Sequence, residues 1–183
     1  MRLLLVLLMM APQCGRPAWS ADAQTDEAVA ERRVKAAYLY RFASYVEWPN
    51  GTFARPDTPL SIGVWGDDEL ADDLAQLVEG RTVDGRRVVV RSLKEAESFA
   101  GLHIVFIAQG RMARLGDTLE SGPRRGTLIV TDTAGALQHG SVLNFVRVDG
   151  QIRFEVSLEA AKQHELKLSS RLAAVSTNLS VRR

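Results

Sequence analysis

The stretch SVLNFVRVDGQIRFEVSLEAAKQHELKLSSR, Ser141 to Arg171, decides the fold. Asp149 and Gly150 separate two runs of alternating character. Asp-Gly favours a two-residue type I′ turn, in which both central residues take positive φ and the turn's twist matches that of the flanking strands. The turn predicts a β-hairpin with Arg147 opposite Ile152, Phe145 opposite Phe154 and Leu143 opposite Val156, which makes one face largely apolar. The other face sets Val146 opposite Arg153 and Asn144 opposite Glu155, and that mixed surface need not be buried. Ser157 reads as an N-cap, with Glu159 near the positive end of the dipole of a helix from about Leu158 to His164. Ser169 and Ser170 can cap a further helix towards the C-terminus.

Outward from this stretch, short apolar runs alternate with helical patterns. Leu60–Trp65, Arg87–Ser92, His103–Ala108 and Thr127–Asp132 are strand candidates. Helices are expected after Asp67 or Asp68, over Leu93–Phe99 and over Met112–Leu119. Continuous apolar strands alternating with helices indicate a parallel sheet covered on both faces. The fold class is therefore α/β: a mostly parallel central sheet flanked by helices on both faces, with a C-terminal antiparallel β-hairpin. Upstream, from about Asp26 to Glu47, Val34, Tyr38, Phe42 and Tyr45 recur at spacings of three and four, with Leu39 and Val46 widening the stripe. The aromatic density of this amphipathic helix suits packing on a sheet better than ligand stacking. Pro49, Asn50 and Gly51 end it.

Residues 1–23 have the form of a cleavable signal peptide: a basic Arg2, an apolar run Leu3–Ala11, and Ala21-Asp22-Ala23 as cleavage site with Ala18-Trp19-Ser20 as a second option. The run is far short of the roughly 20 residues a spanning helix needs. Cys14 raises a lipoprotein signal, but Gln13 before it is larger than such a site accepts. The expected mature chain is a single exported domain, 24–183. It retains no cysteine, and so no disulfide, thiolate nucleophile or cysteine metal ligand. The full chain carries 23 basic and 22 acidic residues, and that balance gives no electrostatic case for nucleic acid or an anionic membrane surface.

Catalytic patterns are weak. Asp67, Asp68 and Asp132 fall at strand ends, where α/β sheets gather ligands, and loosely suggest a Mg²⁺-holding acidic cluster. No aspartate ends the third strand and no lysine follows a last one, so helix capping is the better account of Asp67 and Asp68. The GVWGDD segment at 63–68 lacks the glycine pattern that lets backbone amides approach a pyrophosphate. His103, His139 and His164 have no metal-ligand spacing, and no G-x-S-x-G elbow exists. Arg153 and Glu155 on the hairpin's mixed face, with Arg171 near the last helix, remain the candidate partner- or ligand-binding residues. A binder without cofactor or metal is expected, not an enzyme.

Two segments carry a family resemblance. NFVRVDGQIRFEVSLEAAKQHELKLSSRL ends in an L-x-[IL]-S-S-[RK]-L run, and VKAAYLYRFASYVEWP, Val34 to Pro49, is an opening helix of matching character. The chain resembles the YfiR family of bacterial periplasmic regulators. That resemblance implies a protein that binds and represses an inner-membrane diguanylate cyclase, lowering cyclic di-GMP and biofilm formation. It also implies sequestration by an outer-membrane lipoprotein and the possibility of homodimers. Family members can carry disulfides, from which this chain departs. A periplasmic small-molecule sensor is the alternative that the residues leave open.

Overall fold

The computed structural model of the protein describes residues 19–94, 98–114, 125–176 and 178–180. The helix α1 (Trp19–Ala43) leads into the two-residue strand β1 (Val46–Glu47). Next come β2 (Leu60–Trp65), α2 (Asp68–Val78), β3 (Thr82–Val83), β4 (Arg86–Leu93), β5 (Ile104–Ile107) and β6 (Leu128–Thr131). The hairpin strands β7 (Leu143–Val148) and β8 (Gln151–Ser157) follow, then α3 (Leu158–Gln163), β9 (Lys167–Leu168), α4 (Ser170–Val175) and β10 (Asn178–Ser180).

Eight strands form one sheet in the order β10-β8-β7-β6-β5-β2-β4-β3, and β1 pairs with β9 in a separate ribbon. The run β4, β2, β5, β6, β7 is parallel throughout. The last pairing turns antiparallel at the hairpin, in the expected register: Leu143↔Val156, Phe145↔Phe154 and Arg147↔Ile152. Asp149 and Gly150 take φ of 50° and 74°, the left-handed values a type I′ turn requires.

Strand alternation sorts the core into two layers. Leu60, Ile62 and Val64 of β2, Ile104 and Phe106 of β5, Leu128 and Val130 of β6, and Phe145 and Phe154 of the hairpin share a layer with Ala36, Leu39 and Phe42 of α1 and Leu70 and Leu74 of α2. The opposite layer holds Trp65, Leu93, Val105, Ile107 and Ile129, covered by Phe99 and Leu102 from an irregular segment. Burial on both faces explains why the central strands read as unbroken apolar runs. In α1 the aromatic stripe is core, as its spacing indicated: Phe42 meets Phe145 at 5.8 Å and Phe154 edge-on at 5.0 Å between ring centroids. Val34 is the exception, 40% exposed at the margin of that stripe.

Several expectations need correction. Leu93 belongs to β4, not to a helix, because its side chain fills the second layer. Most of the helix expected over 112–119 lies outside the described residues, and 109–114 is 3-10 helix. Helix α1 ends at Ala43, since Val46 and Glu47 are extended and pair with Leu168 and Lys167. The final helix stops at Val175, and the chain returns to the sheet as β10, parallel to β8. A second hairpin, β3–β4, closes on Asp84 and Gly85 with φ of 50° and 77°.

Candidate functional site

A chain of charges crosses from the hairpin to the carboxyl end of β6. Glu27 and Glu31 lie four residues apart on α1 and both accept from the Arg147 guanidinium of β7. Glu31 also accepts from Lys35, Nζ to Oε1 at 2.7 Å, and Lys35 reaches Asp132 Oδ2 at 2.8 Å. Lys35 is only 8% exposed. Burial pulls its ammonium pKa down, but the bonds to Asp132 and Glu31 and their charges outweigh it and hold the group above its usual 10.5. Burial pushes the Glu31 carboxyl up, yet Lys35 and Arg147 together keep it below 4.5. These ion pairs fix the angle of α1 across the sheet.

Two grooves with apolar lining open on the surface, and only the first shares residues with this frame. One, of about 360 Å³, runs between α1 and the hairpin tip, with Val34, Tyr38 and Ile152 as apolar lining and Glu27, Arg147 and Arg153 as charged lining. The other, of about 580 Å³, lies between the β1–β9 ribbon and α3, lined by Trp48, Leu158, Leu166 and Leu168 with Lys162 and Lys167. Leu158 is 38% exposed there. Trp48 also belongs to an aromatic stack at the amino edge of the sheet. The His103 ring lies flat on Phe53 at 4.4 Å, Trp48 meets it edge-on at 5.9 Å, and Arg86 covers the far face of Phe53 at 3.9 Å. His103 Nδ1 accepts from the Ser61 amide at 3.0 Å, and burial holds its pKa below 6.5.

Residues 32–177 match the family model described as YfiR/HmsC-like. The chain belongs to the YfiR/HmsC-like family. No curated protein matches it. The family is periplasmic and regulatory in character, tied to cyclic di-GMP signalling. Both stretches whose residues carried the resemblance, Val34–Pro49 and the segment through Arg171, fall inside the matched span. Among the described residues no helix is long and apolar enough to cross a membrane.

In this YfiR/HmsC-like chain the three sequence-predicted site residues do not form one constellation. Arg153 is exposed, donates to Gln151 Oε1 at 2.7 Å and lines the α1–hairpin groove. Glu155 instead faces a polar network: Asn144 Nδ2 approaches it at 3.5 Å, while the buried Asn144 Oδ1 accepts from Thr131 Oγ1 at 2.8 Å and from the Thr133 amide at 3.1 Å. Arg171 is exposed on α4 and lines neither groove. At the strand ends Asp67 caps α2, its Oδ1 accepting from the Leu70 amide at 2.9 Å, Asp68 binds Ser92 Oγ, and Asp132 is held by Lys35. Each aspartate of the loose acidic cluster thus has a structural partner. Among the described residues no group of histidine, cysteine and carboxylate side chains is arranged to hold a metal.

The charge chain escaped sequence reasoning. Lys35 and Asp132 are 97 residues apart. Only the placement of a lysine on the otherwise apolar helical face of Leu39 and Phe42 could have flagged it.

Proposed function

We propose that the protein is a periplasmic repressor of an inner-membrane diguanylate cyclase. It acts by contact with the cyclase's periplasmic sensor and so lowers cyclic di-GMP and biofilm formation. Membership of the YfiR/HmsC-like family across most of the chain is the observation that carries this reading. Bound protein biases the sensor towards its inactive arrangement, and any partner that sequesters the free protein releases the bias, because a ligand shifts a two-state equilibrium only by its differential affinity. An outer-membrane lipoprotein suits the sequestering role, and a homodimer is the form in which two sensor chains could be engaged together. Export by cleavage after Ala23 would leave α1 beginning at Gln24 and keep Glu27, Glu31 and Lys35 in place. The test is capture of detergent-solubilised inner-membrane proteins on the immobilised mature domain: recovery of a GGDEF-type cyclase supports the reading, and a bound fraction without one refutes it.

A second reading, sensing of a small periplasmic molecule, is favoured by the groove of about 580 Å³, whose apolar lining is edged by charges of both signs, Lys162 and Lys167 with Glu47 and Glu165. A metabolite that raises the melting temperature of the mature domain reproducibly would support it.

A further inference from the structure

The segment 48–59, between β1 and β2, has no regular structure. Its own backbone bonds are short in range: Thr52 donates to the Pro49 carbonyl and Thr58 to that of Arg55, both at 3.1 Å. Two side chains of the sheet hold it to the body of the domain. Arg86 of β4 directs Nη1 at the carbonyls of Arg55, Pro56 and Thr58, at 3.0, 2.8 and 2.8 Å. Its guanidinium also covers the Phe53 ring at 3.9 Å, while His103 lies flat against that ring at 4.4 Å. Phe53 is thus clamped between a permanent cation and a titratable ring.

His103 itself is fixed. Its backbone N–H donates to the Ser61 carbonyl at 2.9 Å and its carbonyl accepts from the Leu128 amide at 2.8 Å, which locks the residue between β2 and β6. Its Nδ1 accepts from the Ser61 amide at 3.0 Å. A proton arriving at Nδ1 sets two N–H groups against each other and charges a ring that is only 4% exposed. Arg86 is the charged side chain that acts on the ring, and it opposes a second cation across Phe53. Asp57 of the loop is exposed and paired with Arg55, and among the described residues no carboxylate offsets the new charge. The Thr52 backbone favours the charged ring, but burial outweighs it. With the sheet holding His103, the loop is the part that yields. Trp48 carries the change further, since it meets His103 and Phe53 edge-on at 5.9 and 6.2 Å and lines the groove of about 580 Å³ with Pro49 and Asn50. We propose that protonation of His103 lifts Phe53 and loosens the segment 48–58, so that acid reshapes the groove wall at Trp48 while the sheet stays intact. Histidine is the side chain suited to this, because it titrates near physiological pH and one proton can bias a local two-state element. The latch does not depend on the cyclase being the partner.

Nitrogen-15 relaxation of the mature domain, followed from about pH 7.5 down to the onset of global unfolding, reads the latch directly. Backbone order parameters over 52–58 should start near about 0.85 and fall below about 0.6 as the His103 ring titrates, while those of β5 stay rigid. The Trp48 indole resonance should shift with the same midpoint as the ring. In His103→Asn neither the loop nor Trp48 should respond to pH over that range. Phe53→Leu removes the stack without touching a strand, and it should leave the loop loose at every pH. A loop that stays ordered while the His103 ring titrates overturns the proposal, as does an equal response in His103→Asn or an ordered loop in Phe53→Leu. A ring that stays neutral until β5 unfolds, or a loss of order that β5 shares, also overturns it, because the change is then unfolding of the domain and not release of a segment.

Discussion

Lys35 on α1 and Asp132 beyond β6 meet at 2.8 Å, one residue from each side of the principal core layer. With Glu31 as a second acceptor, the ammonium has two carboxylates around it in a place where water barely reaches. Removing one member of such a group leaves the others buried without compensation. Lys35→Met should therefore destabilise the domain by about 1–3 kcal/mol, below the range for fully buried pairs because the carboxylates keep some exposure. Urea unfolding measures it, and an unchanged midpoint would show that α1 is held by its apolar face alone.

The same cluster sets a pH dependence. Glu31 has a lowered pKa in the folded chain, so its contribution is present above 4.5 and is lost as pH falls through the folded value. Lys35 is raised, so its contribution is present below 10.5 and is lost as pH rises beyond it. Glu31→Gln should flatten the acid limb of stability below 4.5 and, by removing one of the two carboxylates that raise Lys35, weaken the alkaline limb as well. Melting temperature against pH for both chains gives the comparison.

His103 acts earlier on the acid side. Its pKa is depressed by burial, so the neutral ring is the folded form, and stability present above 6.5 declines as pH falls through the folded value. His103→Asn keeps an acceptor for the Ser61 amide but does not titrate. The variant should lose stacking on Phe53, and with it some stability at neutral pH, while its stability changes less than wild type's just below pH 6.5. Parallel slopes for the two chains would contradict the assignment.

Phe154 is fully buried where the hairpin meets α1, with Phe42 and Tyr38 edge-on to it at 5.0 and 5.4 Å. Phe154→Ala should cost about 3–5 kcal/mol, the range for emptying an aromatic core site. Phe154→Leu should cost less. Equal effects would mean that the ring geometry, not the retained volume, decides the packing.

How much of this was legible beforehand follows from the range of each signal. The Asp149-Gly150 turn and its register were readable because turn type and alternation are local. The same dipeptide at Asp84-Gly85 closes β3–β4 without a legible strand signal, since a strand of two residues has no period to detect. The ribbon β1–β9 hid for the same reason, and it brings Trp48 beside α3 to shape the larger groove. The candidate site was legible only in part. Arg153 was found from its place on the hairpin, whereas the groove it lines needs α1, more than a hundred residues upstream, and no local pattern encodes that meeting.

The central claim is that this chain restrains a membrane cyclase by touching it. Cyclic di-GMP measured in cells with the gene deleted, and again with the full-length chain restored, tests that most directly. The account predicts a rise on deletion that the restored chain reverses. Levels that stay the same through both steps would contradict it.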